Sequence, residues 1–111
     1  MSNAILPGAA EKATELMINW IEERYDDVEP ELGELTRQKL TELGGLPAAW
    51  AMVVGTVGAY EGMGEPMPRQ TGDLTIVDIP MTFETGEMNG RVVYDKLGKV
   101  AGLFVLPQGS L

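Results

Sequence analysis

Asp78 is the acid in this chain whose setting could do chemistry. It stands between Val77 and Ile79 inside an apolar run. A carboxylate in poorly solvated surroundings has a raised pKa and can act as a base. The plainer reading is a solvated or interface aspartate. The aromatics Trp20, Trp50, Tyr60, Phe83, Tyr94 and Phe104 could line a cavity mouth, because rings with a polar tip suit small apolar ligands. With Met81 and Met88 they form a candidate ligand pocket, and Met52, Met63 and Met67 would make an apolar lining adaptable. All of these also read as ordinary core. Asp26, Asp27, Glu29, Glu31 and Glu34 form an acidic run, but it lacks the alternating ligands and central glycine of a calcium loop. It reads as a solvated connector. No catalytic residue, metal ligand or cofactor is assigned.

The residue types that are missing narrow the chemistry further. There is no Cys and no His, which excludes disulfides, thiolate zinc sites, cysteine nucleophiles and the commonest general base. Ser occurs only at Ser2 and Ser110, so a serine–histidine–acid triad cannot exist in this chain. The 111 residues suffice for one domain with one core. A net charge of −9 repels phosphate backbones and anionic surfaces, so a nucleic-acid partner is not expected. The longest apolar candidate, Leu46 to Val57, is too short to span a membrane. Residues 1–6 read as disordered or tag-derived, since Met1-Ser2-Asn3-Ala4 resembles an expression-vector scar, and 108–111 as a tail or linker start. No signal peptide is legible. The default compartment is cytoplasmic, with secretion open if a leader has been removed.

The elements that must position these residues follow from periodicity. Ala13, Leu16, Met17, Trp20, Ile21 and Val28 recur at helical spacing and predict a helix from Pro7 to Val28, ended by Pro30. Leu32, Leu35, Leu40 and Leu43 predict a second helix over Glu31 to Leu43, with Thr36 as a cap and Gly44-Gly45 as the stop. A third runs from Pro47 to Val57. From Ala59 the period becomes two. Ala59 to Gln70 predicts a strand, bulged at Gly62 and Gly64 and confined to a sheet edge by Pro66 and Pro68. Leu74–Glu84, Glu87–Asp95 and Lys99–Leu106 complete four antiparallel strands. Thr85-Gly86 is the predicted hairpin loop.

That loop sets a register with Phe83 opposite Met88, Met81 opposite Gly90 and Ile79 opposite Val92. The next turn puts Tyr94 opposite Val100, Val92 opposite Gly102 and Gly90 opposite Phe104. The predicted core face is then Val77, Ile79, Met81, Phe83, Met88, Val92, Tyr94, Val100, Phe104 and Leu106. The other face carries Ile76, Val93, Ala101, Leu103 and Val105 beside Asp78 and Arg91, with Arg91 paired to Glu84 or Glu87. An apolar patch on an outer face suggests a partner surface, most simply in a homodimer. Ile76, Asp78, Arg91, Val93, Leu103 and Val105 are its candidate residues.

Three helices followed by a strongly bent four-stranded sheet is the layout of the cone-shaped α+β folds. The stretches Ala49-Trp50, Val57-Gly58-Ala59-Tyr60 and Val77-Asp78-Ile79-Pro80-Met81-Thr82-Phe83-Glu84 carry a closer likeness. It is strongest at Arg91-Val92-Val93-Tyr94-Asp95-Lys96-Leu97-Gly98-Lys99-Val100-Ala101-Gly102-Leu103-Phe104. Together these resemble a bacterial domain of unknown function often found ahead of α/β-hydrolase domains, within the nuclear transport factor two-like and ketosteroid isomerase-like (cystatin-like) superfamily. The resemblance implies helices packed on the concave face of the sheet, with room for a pocket between them. It transfers no catalytic residues: the isomerases' carboxylate base and buried donors cannot be aligned here. The expected function is a non-catalytic association domain, self-associating or accessory to a neighbouring hydrolase. A small apolar-ligand binder is the alternative, and an acid–base isomerase or lyase the remotest.

Overall fold

The computed structural model describes residues 7–107; the readings of 1–6 and 108–111 lie outside the described residues. Helix α1 (Ala9–Ile21) buries Ala9, Ala13, Leu16, Met17 and Trp20 along one stripe, as a 3.6-residue period requires. It does not continue to Val28. Glu23 takes a left-handed φ of 65°, and the Arg24 N–H returns to the Asn19 carbonyl at 2.7 Å. The chain restarts as the single turn α2 (Tyr25–Val28) and a 3-10 turn (Glu29–Glu31). The acidic run occupies this connector except for Glu34, which opens the next helix, and the connector is anchored by the fully buried Val28.

Helix α3 (Glu34–Glu42) buries Leu40, and Leu32 is buried just ahead of it, but Leu35 and Leu43 face outward. Thr36 is not a cap. Its hydroxyl donates to the Val100 carbonyl at 2.9 Å, and the Gly33 N–H donates to the same oxygen at 2.8 Å. These bonds tie the start of α3 to the last strand. Helix α4 (Leu46–Val57) has no charged residue and buries only Leu46 and Ala49 fully.

The strands are β1 (Tyr60–Met63), β2 (Met67–Thr71), β3 (Leu74–Phe83), β4 (Gly86–Tyr94) and β5 (Val100–Pro107). All pairs are antiparallel, in the order β1-β3-β4-β5, with β2 also on β3 beside β1. The fold is thus α+β, helices before sheet, with five strands rather than four. The predicted Ala59–Gln70 strand splits at Gly64, Glu65 and Pro66, although the Gly64 N–H still donates to the Pro80 carbonyl at 2.7 Å, and a bulge lies between Tyr60 and Gly62. Helix α1 packs on the sheet face that carries Val77, Ile79, Met81, Phe83, Val92, Tyr94 and Val100, all buried.

Two registers differ from expectation, with opposite consequences. In the β3–β4 hairpin Phe83 opposes Gly86 and Met81 opposes Met88, so Glu84-Thr85 is the loop. The end of α4 pins it there: Thr85 N–H and hydroxyl both reach the Val57 carbonyl, and Glu84 N–H reaches Ala59. This is a shift by two, so every side chain keeps its face. Between β4 and β5 the shift is by one. Tyr94 opposes Val100, but Val93 opposes Gly102, which leaves Ala101 as the extra residue of a bulge. A bulge turns all later residues over. Leu103 and Val105 therefore move to the helix side, opposite Val92 and Gly90. Phe104 and Leu106 move to the outer face, opposite Arg91 and Asn89.

Candidate functional site

The outer sheet face holds a charged cluster centred on Asp78, which is only 7% exposed. Asp78 Oδ1 accepts from Arg91 Nε at 2.7 Å and from Asn89 Nδ2 at 3.0 Å, while Arg69 donates to Oδ2. Cross-strand placement brings these groups together, since Arg91 lies directly opposite Asp78 and Arg69 is opposite Ile76 one row along. Arg91 pairs with Asp78 rather than with Glu84 or Glu87. Burial pushes the Asp78 pKa up, but the hydrogen bonds from Arg91, Arg69 and Asn89 and the charge of Arg91 outweigh it, and the carboxyl sits below its usual range. That is the wrong direction for a general base, which needs a raised value. Ile76 and Val93 flank the cluster, half-buried, on the same face.

The predicted pocket aromatics divide three ways. Trp20, Trp50, Tyr60 and Phe83 pack on one another, with ring centroids 5.4 to 6.4 Å apart. The Trp20 indole N–H donates to the Leu46 carbonyl at 2.9 Å. This cluster and Met81 join α1, α4 and the sheet as core. Tyr94 is buried on the helix side; burial, with the Glu31 charge adding, raises its hydroxyl pKa. It borders a 310 Å³ hollow shared with Lys12 and Lys96. Phe104 is the exception. It is 46% exposed, and its ring lies over Gly102, where an added Cβ would come within 2.7 Å of it.

Phe104 belongs to a different surface. A hollow of about 300 Å³ lies between α4 and β5, with Met52, Val53, Met88 and Val105 among its walls. A second, of about 280 Å³, lies between α3 and β5, with Leu35, Thr36, Lys39 and Gly102. Leu40, Leu43, Leu103 and Phe104 line both, so together they form one groove along the edge strand. Leu35 is 74% exposed, Met52 58% and Leu43 51%. Among the described residues, Lys39 is the one charged residue in its lining. Leu103 and Val105, expected on the outer face, and Met88 and Phe104, expected around a core pocket, all meet here. The sequence reading missed Leu35, Leu43 and Met52 as exposed residues. For Leu43 and Met52 the signal was present: no charged residue occurs from Leu43 to Tyr60, nor from Val100 onward.

The two sheet edges contrast. The β1–β2 edge carries Glu61, Glu65, Pro66, Pro68 and Arg69, the charges and prolines with which proteins blunt an edge against pairing. The β5 edge carries none of these before Pro107. Among the described residues, its backbone beyond Val100 has no partner except β4. Among the described residues, no cluster of His, Cys, Asp or Glu could hold a metal ion, and no single helix is long and apolar enough to cross a membrane. No protein-family model, curated protein or solved structure matches this chain.

Proposed function

We propose that this chain is a non-catalytic association domain that binds a second copy of itself through the groove along β5. The observation that carries this is the exposure of Leu35, Leu43, Met52 and Phe104 around a groove whose lining is almost free of charge. Exposed apolar groups that are contiguous favour burial against a partner. Charge selects the partner's contact: two chains of −9 repel, so they meet best where neither presents acids. Helix α4 and strand β5 are such a place. Asp78, held ionised by two arginines, supports the non-catalytic part.

The cone-shaped, ketosteroid isomerase-like arrangement belongs to this proposal. It draws support from the order of helices before sheet and from α1 packed on one sheet face. Membership of the domain family found ahead of hydrolases rests on the motifs from Ala49 to Phe104, and a hydrolase is the alternative occupant of the groove. The small-ligand reading also moves there. The aromatic rings pack on one another at 5.4 to 6.4 Å, whereas the groove's two hollows are near the small end of ligand sites, roughly 300 Å³ upward. Native mass spectrometry at micromolar protein separates these readings. A species of twice 12.0 kDa that Leu35→Glu abolishes supports self-association. A monomer carrying extra small-molecule mass supports the ligand binder, and a bare monomer at every concentration contradicts the proposal.

A further inference from the structure

We infer that the second copy docks as a strand: β5 pairs antiparallel with β5 of the other copy about a two-fold axis at Phe104, making one sheet continuous across the dimer. This rests on the self-association reading above and specifies its geometry. The free edge has defined ends. At one end the Val100 carbonyl is already taken by Gly33 and Thr36, and Leu32 bridges to Val100 in the plane of the sheet. At the other, Pro107 lacks an N–H. Between them, among the described residues, Gly102 to Leu106 has no backbone partner beyond β4, a stretch of roughly 17 Å at about 3.3 Å per residue.

This stretch is self-complementary. Centred on Phe104, an antiparallel pairing places Gly102 opposite Leu106 and Leu103 opposite Val105 of the other copy. A two-fold axis perpendicular to a sheet preserves its faces. The two Phe104 rings then meet on the outer side, a favourable cross-strand aromatic pair. The two grooves meet on the helix side, where Leu35, Leu43 and Met52 of each copy gain cover. Isologous contact of this kind closes at two subunits. The bulge at Ala101 is what makes the geometry available, because it turns Phe104 outward to the edge instead of into the core.

The chain has no cysteine, so Phe104→Cys introduces one thiol at the axis. Opposed residues in antiparallel strands have Cβ atoms about 5 Å apart, within reach of a disulfide or a short bismaleimide. Leu97→Cys, on the 82% exposed turn residue, is the control. The expected result is covalent dimer forming about a hundredfold faster from Phe104→Cys than from Leu97→Cys. Hydrogen exchange on the unmodified chain gives a second readout: amides within Gly102–Leu106 should be protected at dimer-forming concentrations and lose protection on dilution. A dimer with neither cross-linking at Phe104 nor concentration-dependent protection of β5 overturns strand pairing and leaves self-association standing. A monomer throughout overturns both.

Discussion

Asp78 is a structural charge. Its carboxylate is nearly enclosed and receives donors from Arg91, Asn89 and Arg69, so removing its charge takes a carboxylate partner from each of two guanidinium groups. Breaking a buried pair by removing one member costs several kcal/mol, less here because the Arg69 side chain is 46% exposed. Asp78→Asn should therefore destabilise the fold by about 2 kcal/mol near neutral pH, read by urea denaturation. The sign of its pH dependence follows from the depressed pKa. The stabilisation is complete above the unfolded-state value of about 3.9 and is lost as pH falls through the lower folded value. The stability gap between the natural chain and Asp78→Asn should close only in strong acid. At Phe104 the expectation is opposite in kind: at concentrations low enough for the natural chain to be monomeric, Phe104→Glu should leave the denaturation midpoint nearly unchanged, because the side chain is half-exposed, while abolishing association at higher concentrations.

Single connections decide where the elements put these residues. Gly58 has φ 84°, and a Cβ there would meet the Glu84 Cβ at 2.6 Å. It lets the end of α4 lie against the hairpin loop that fixes the β3–β4 register. Gly58→Ala should cost about 2 kcal/mol from the unfavourable φ and the clash, measured by thermal or urea unfolding. The Ala101 bulge acts on the other hairpin. Deleting Ala101 leaves the pairs from Val93–Gly102 onward in place, so the variant should fold with Leu103 still buried, as amide exchange of β5 would report. These two connections also mark how far the sequence was legible. Alternating apolar residues identified β3, β4 and β5 and separated the faces of β3 and β4, because a two-residue slip preserves faces. The β5 faces were not legible. Ala101 and Gly102 give no local sign of which residue is extra, and one residue reverses everything after it. The site went with it: Phe104, Leu103 and Val105 were each read on the wrong side. Leu35 and Leu43 looked like core because helical spacing cannot distinguish a face turned inward from one turned to a partner.

For the whole molecule, the open β5 edge, the groove beside it and the charge of −9 combine into one expectation about association. Apolar burial drives it and like-charge repulsion opposes it. Salt screens that repulsion, with a Debye length of about 10 Å at 0.1 M and about 3 Å at 1 M. The dimer should therefore tighten as sodium chloride is raised, which a salt-bridged interface would not do. The direct test is sedimentation velocity of the natural chain and Phe104→Glu side by side, over a range of micromolar concentrations at moderate salt. The predicted result is a concentration-dependent monomer–dimer equilibrium for the natural chain and a monomer throughout for Phe104→Glu. A natural chain that stays monomeric, or a dimer that Phe104→Glu leaves intact, would contradict the account.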